Sequence, residues 1–294
     1  ECVDNFDTIW DSAVRRTERR TQQSMESLVH NLNSLHARAG AQIPFSSINF
    51  GTATSWEGRL VSFTFLDAVD AGLGKGETPI FPISIFKMKK GINVDPEDPN
   101  YDLFKKSIRT TAKRMYPNFS NLDAPFNAMY YKEGNVATEA AYMGCRTRVM
   151  TDINGPDEVT RRGNLSFTTI NLPRIALTTK NLDEFYQKLD QKLELVLEQL
   201  LSRLEIVARR RVANMPFLMG QHIWRGSEGL AYDDSVMPAL KHGTLSIGFA
   251  GLAETLVALT GHHHGESDEA QELGLEIIRY MRKFCDDKTK ELSL

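Results

Sequence analysis

The chain has little that could track nucleic acid, cross a membrane or build a disulfide framework. Its 35 lysines and arginines are outnumbered by 38 acidic residues, for a formal net charge of −3. The basic surplus of a phosphate-binding surface is therefore missing. The triplet Arg209-Arg210-Arg211 reads as the solvated end of a helix. No apolar run approaches the ~18 residues that span a bilayer, and no signal-peptide pattern opens the chain. Only three cysteines occur, Cys2, Cys145 and Cys285. They are odd in number and without ligand-like spacing, which points to reduced thiols in a cytoplasmic protein. Proline and glycine are scattered, with no internal repeat and no low-complexity stretch. No serine–histidine–aspartate set and no paired-carboxylate motif stands out. Gly72-Leu73-Gly74-Lys75-Gly76 lacks the spacing and the hydroxyl residue of a phosphate loop, and reads as a turn.

What is present is a core and a clear alternation of periods. At 294 residues and 41% hydrophobic content, the chain can fill one large domain or two small ones. Residues 5–39 carry apolar side chains at three- and four-residue spacing (Phe6, Ile9 and Trp10, then Met25 to Leu35), which predicts a helix closed by Gly40. Residues 44–50 alternate as a strand, and 57–71 predict a helix. Residues 79–88, dense in β-branched and aromatic side chains, predict a buried strand. A helix is expected over 101–115, a strand over 126–131, and a strand over 168–172. The clearest helix, 181–211, places Leu182, Phe185, Leu189, Leu193, Val196, Leu200, Leu204 and Val207 on one stripe. A coiled coil would show the same stripe, but the flanking strands favour a helix lying on a sheet. A strand over 245–249 and helices over 252–259 and 273–284 complete the pattern. Alternation of this kind implies an α/β architecture with parallel pairing.

Four blocks carry most of the functional information. Met143-Gly144-Cys145-Arg146-Thr147 sets a lone cysteine beside a glycine, whose freedom allows a tight turn that could expose the sulfur on a loop tip. Taken alone, such a cysteine is more readily a small, inert, buried thiol. About twenty residues on comes Arg162-Gly163-Asn164-Leu165-Ser166-Phe167-Thr168-Thr169-Ile170-Asn171-Leu172-Pro173-Arg174. The others are residues 38–51 (RAGAQIPFSSINFG) and 244–254 (TLSIGFAGLAE). Together these blocks closely resemble the active-site region of the anaerobic, glycyl-radical class of ribonucleoside-triphosphate reductases.

That resemblance implies a great deal. The fold would be part of a ten-stranded α/β barrel of two five-stranded halves, with a finger loop carrying the cysteine through its centre. Residues 1–294 would be a partial catalytic barrel domain, without the family's N-terminal ATP-cone or its C-terminal zinc and glycyl-radical region. Cys145 would be the thiyl residue that takes hydrogen from the ribose 3′-carbon. Asn164, and after it Asn171, are candidates for binding ribose hydroxyls, since a carboxamide both donates and accepts without adding charge near a radical. Each could equally be a turn or strand-end asparagine bonded to backbone. Arg146 could meet a phosphate, hold the loop or make a structural salt bridge. Arg38, Gly40 and Gln42 would belong to a loop reading an allosteric effector, or simply to a helix cap and sheet entry. No metal ligands are assigned within the chain: His262-His263-His264 and Glu266 read as an exposed loop.

The resemblance further implies a glycyl radical generated by an S-adenosylmethionine iron–sulfur activase, formate as reductant, and a structural zinc outside this stretch. Partners would be a ribonucleoside triphosphate, deoxynucleotide and ATP effectors, the activase and a second copy in a homodimer. The chain opens on Glu1 and runs helically to Leu294, so both ends are expected to be cuts in a longer polypeptide. It contains no radical-glycine motif, and turnover by these 294 residues alone is not expected. Two further readings stand beside this one: an effector-binding and dimerisation module without catalysis, and a formate-lyase-like glycyl-radical enzyme, against which the NLPR block argues.

Overall fold

The computed structural model describes residues 2–36, 42–144 and 147–294, with the first four of these by backbone alone. They divide into two compact units, Glu1–Met150 and Thr151–Leu294.

The first unit is built on two strand–helix–strand crossovers. Helix α1 (Cys2–Ser34) leads to strand β1 (Ser47–Phe50), helix α2 (Trp56–Ala71), strand β2 (Ile83–Met88), helix α3 (Tyr101–Arg114) and strand β3 (Asn118–Asn121). The strands pair in parallel in the order β1-β2-β3. A crossover must intervene between parallel neighbours to return the chain to the end where the strands start, and here each crossover contains a helix. One face of the sheet is apolar. Ile48 and Phe50 pack with Phe65, Ala68 and Val69 of α2 and Val29 of α1, and Phe86 and Met88 join Leu66 and Leu103. Since side chains alternate along a strand, Ser47, Asn49 and Lys87 point to the opposite face, together with Ile83 and Ile85 of β2.

The helical stripe of α1 enters this core only at its C-terminal end. Phe6, Ile9 and Trp10 are exposed, so the apolar spacing that predicts the helix does not make it core throughout. Strand β2 starts four residues later than the pattern suggests. The main-chain N–H groups of Ile80 and Phe81 donate instead to Asn33 Oδ1, at 2.8 and 3.0 Å, and so are not free for a strand partner. Residues 126–131 are not a strand. Pro125 opens a single helical turn, α4 (Pro125–Ala128), where its fixed φ and missing N–H fit the first helical position. The short β3, Asn-Phe-Ser-Asn, has Phe119 as its single apolar residue and escapes sequence reading. The unit ends in two short antiparallel strands, β4 (Tyr142–Met143) and β5 (Thr147–Arg148).

The second unit begins its regular structure with strand β6 (Asn164–Asn171), followed by helix α5 (Leu172–Leu177) and the long helix α6 (Leu182–Ala208). Helix α7 (Met237–Leu240), strand β7 (Thr244–Ala250) and helices α8 (Leu252–Thr260) and α9 (Asp268–Leu292) complete it. β6 and β7 pair in parallel, and α6 lies across them. Phe185, Leu189, Leu193, Val196 and Leu200 form the stripe foreseen from spacing, and meet Ile170, Leu172, Leu256, Ile277 and Met281. α6 is therefore a sheet-packing helix and not a coiled-coil strand. Asn181 caps it by accepting from Glu184 N–H, and Ser267 caps α9 in the same way from Ala270. α9 runs well past its apolar stripe at both ends. Mixed α/β architecture is thus observed in each unit.

Candidate functional site

Cys145 and Arg146 lie outside the described residues, as do Arg38 and Gly40. The structure describes the frame on either side of the cysteine. β4 and β5 pair as Tyr142 with Arg148 and Met143 with Thr147, and the Ser47 and Asn49 side of β1 grips the β4 leg. Asn49 Nδ2 donates to Tyr142 O at 2.8 Å, and Tyr142 N–H donates to Asn49 Oδ1 at 2.9 Å. One step further, Gly144 N–H donates to Ser47 Oγ at 3.1 Å. A Cβ on Gly144 would sit 2.2 Å from the ring of Phe45, which in turn packs edge-on against Phe81. Only glycine lets the backbone approach this closely.

The helical turn α4 serves the other side of the pair. Asn127, 2% exposed, accepts from Tyr142 Oη and from Arg148, and Arg148 also donates to Phe126 O at 3.0 Å. Just upstream, the buried Glu139 carboxylate is ion-paired to Lys87 and Lys89 and accepts from Thr52 Oγ1 at 3.2 Å. Sequence reasoning missed Ser47, Asn49, Asn127 and Glu139. The signal for the first two was visible as the polar positions of Ser47-Ile48-Asn49-Phe50, an alternation that shows a two-faced strand without showing what its polar face meets. Gln42, offered as an effector contact, is exposed.

In the second unit the two candidate asparagines sit on one strand. Asn164 and Asn171 are seven residues apart, an odd number that would put them on opposite faces of a regular strand. A bulge intervenes. Asn164 pairs with Thr244, yet Ser166 pairs with the very next residue, Leu245. Leu165 and Ser166 both turn toward α6: Leu165 packs in the cluster around Leu204, and Ser166 Oγ accepts from Arg203 at 3.1 Å. Leu165 fits there because Gly243 leaves room, where a Cβ would lie 2.6 Å from its Cγ. Asn164 is thereby returned to the face away from α6, the face of Thr169, Asn171 and the 68% exposed Phe167.

The two amides are differently engaged. Asn171 Oδ1 caps α5 by accepting from Arg174 N–H at 3.0 Å. Asn164 Nδ2 donates to Ser246 Oγ at 3.0 Å. Its Oδ1 is buried and, among the described residues, accepts no hydrogen bond. At about 3.3 Å per residue, the two lie roughly 20 Å apart along β6. That is several times the width of a ribose, so they cannot grip one sugar together.

Residues 2–294 match the family described as anaerobic ribonucleoside-triphosphate reductase. The chain belongs to that family. Proteins named anaerobic ribonucleoside-triphosphate reductase are similar to it over most of its length. The one from Haemophilus influenzae is 34% identical over 281 residues, 93% of this chain and 38% of that protein. The one from Escherichia coli is 34% identical over 289 residues, 95% and 39%. The one from enterobacteria phage T4 is 31% identical over 254 residues, 82% and 40%. The chain thus spans about two fifths of the length of these curated relatives.

Within this reductase-family chain, the segment that leads into Asn164 is anchored by buried charge. Arg162 Nε lies 3.4 Å from Asp152 Oδ2 and donates to His242 O at 2.7 Å. Its terminal nitrogens donate to Thr151 O and Glu158 O. Asp152 Oδ2 also meets His242 Nδ1 at 2.9 Å. Burial pushes the Arg162 guanidinium below its ordinary value, and the Asp152 charge works against that.

Cys285, on α9, is a half-buried thiol. Burial, and then the charge of Asp286, push the Cys285 thiol up, so little thiolate exists near neutral pH. Cys285 is expected to react with iodoacetamide at pH 8 at least about threefold more slowly than a free cysteine peptide, as read by peptide mass spectrometry. His262, His263 and His264 join α8 to α9 as the loop foreseen, with His263 N–H donating to Glu266 at 3.0 Å. Among the described residues, no group of three or more histidine, cysteine, aspartate or glutamate side chains could hold a metal ion. No helix among them is long and apolar enough to cross a membrane.

Proposed function

We propose that the polypeptide containing this sequence reduces ribonucleoside triphosphates to 2′-deoxyribonucleoside triphosphates, using a thiyl radical on Cys145 and formate as reductant. The observation that carries this reading is the family match across residues 2–294, which includes the Met143–Thr147 and Arg162–Arg174 blocks. Direct loss of the 2′-hydroxyl is slow because hydroxide leaves poorly from an unactivated carbon. Removing the 3′-hydrogen first activates it. Sulfur suits that step because its S–H bond is close in strength to the ribose C–H, so the hydrogen moves either way at small energetic cost. The family's glycyl radical would supply the oxidising equivalent that takes hydrogen from the Cys145 thiol. In the net reaction, formate and a proton enter with the ribonucleotide; carbon dioxide, water and the deoxynucleotide leave.

Of the two amides, Asn164 is the ribose partner on this reading, because its carboxamide oxygen is unengaged whereas that of Asn171 caps a helix. Arg146 is proposed to hold the loop or meet substrate phosphate, and Arg38, Gly40 and Gln42 to belong to an effector-reading loop. The ten-stranded barrel, with the β4–β5 pair as the base of its finger loop, belongs to the same proposal. So do a homodimer, an activating iron–sulfur enzyme, deoxynucleotide and ATP effectors, and a cytoplasmic setting. A structural zinc in another part of the polypeptide belongs to the same proposal.

The test is stoichiometric. With the radical installed anaerobically, the full-length reductase should convert one formate to carbon dioxide per deoxynucleotide formed. Deoxynucleotide binding without any turnover would support the effector-binding module instead. Formate exchange on a non-nucleotide substrate would support the formate-lyase-like reading.

A further inference from the structure

We propose that Asn49 and Ser47 are positioning residues that set the place of Cys145, acting through the main chain of Tyr142 and Gly144. This rests on the reading of Cys145 as the thiyl residue. A carboxamide carries a donor and an acceptor spaced much as in a peptide unit. Asn49 uses both on one residue, giving Nδ2–H to Tyr142 O and taking Tyr142 N–H on Oδ1. It thus does for β4 what a neighbouring strand would do. Ser47, two residues earlier on the same face, accepts the N–H of Gly144, the residue directly before the cysteine. Phe45 closes the row by lying where a Gly144 side chain would stand.

The anchor is rigid because its other face is core. Ile48 and Phe50 alternate with these polar residues and are packed under α1 and α2, and all four residues of β1 pair with β2. A side-chain hydrogen bond from such a strand transmits the position of the sheet to the backbone it holds. That matters for hydrogen-atom transfer, where misplacement of about 1 Å can cost on the order of a hundredfold in rate. The residue types fit the task. Aspartate at 49 would set a carboxylate against the Tyr142 carbonyl, glutamine would carry the amide one methylene too far, and leucine would leave both main-chain groups without their partner.

The test uses the full-length reductase with its radical installed. Asn49→Leu and Asn49→Asp are expected to lower kcat by about a hundredfold. The KM for the ribonucleotide should change less than about twofold and the glycyl-radical signal should keep its intensity. Ser47→Ala should lose about tenfold in kcat, and Ser47→Thr, which keeps the hydroxyl, should restore most of it. As a readout independent of turnover, Cys145 in the Asn49 variants should be alkylated several-fold faster than in the wild type. Should Asn49→Leu fail to fold, the near-isosteric Asn49→Asp and the Ser47 pair decide the matter. Wild-type kcat together with an unchanged Cys145 labelling rate in the Asn49 variants would overturn the inference. So would a loss confined to KM. Activity retained by Cys145→Ser would instead sink the thiyl reading, and leave the labelling rates to judge whether Asn49 positions the loop.

Discussion

On the proposed thiyl role of Cys145, Cys145→Ser is expected to abolish deoxynucleotide formation by the full-length polypeptide, a loss of at least about four orders of magnitude. Serine is close in size, so the backbone held by Ser47 and Asn49 has no steric reason to move. What changes is the bond. An O–H bond is far stronger than S–H, so a glycyl radical has no favourable way to take the hydroxyl hydrogen, and the 3′-hydrogen of the ribose stays in place. The variant should still accept its glycyl radical, visible by electron paramagnetic resonance, and should bind ribonucleotide as the wild type does. The measurement is formate-dependent product at matched radical content. Turnover within tenfold of wild type would remove Cys145 from the chemistry.

The largest expected loss of stability follows from the buried charges at the entry to β6. The side chains of Asp152 and Arg162 are only 1% and 2% exposed, and the carboxylate also takes Asn154 N–H and faces His242. Asp152→Ala strands the guanidinium in a low-dielectric surrounding, and such one-sided removals cost about 3–5 kcal/mol. Arg162→Met takes away the arginine partner of the buried carboxylate and should also destabilise. The double substitution Asp152→Leu with Arg162→Met removes both charges, and should recover a large part of either single loss. Urea unfolding of the wild type and three variants closes this cycle. Additive losses in the double variant would show that the two side chains do not form an energetically coupled pair. Because Arg162 stands two residues before Asn164, the single variants should also weaken hydrogen-exchange protection at the start of β6.

Much of the architecture is legible in the chain. The stripe from Phe185 to Leu204 announces α6 because a helix on a sheet must bury one face, and period and burial then coincide. The same logic fails where burial does not follow pattern. Phe6, Ile9 and Trp10 have helical spacing and lie in α1, yet they are exposed. β3 goes unseen because Asn-Phe-Ser-Asn pairs through its backbone with β2 and needs no apolar alternation to do so. The aromatic run after Pro125 looks like a strand, but the local chemistry of proline at a helix start overrides it.

The candidate site divides along the same line. Cys145 beside Gly144, and the asparagines of the Asn164–Asn171 run, stand out from residue type and family likeness alone, since those are properties of neighbouring letters. Their partners are not neighbours. Asn49 meets Tyr142 across 93 positions, and Ser47 meets Gly144 across 97. Such pairings exist only once the first sheet has formed and fixed which of its faces carries Ser47 and Asn49. The bulge at Leu165 is decided in the same way. Strand parity alone would put Asn164 and Asn171 on opposite faces, and the extra residue, accommodated against Gly243 and the α6 cluster, returns them to one. Side-chain type and local period thus determined the elements and the chemistry available. Tertiary pairing decided where that chemistry points, because facing depends on register, and register is set by contacts that no local window of sequence contains.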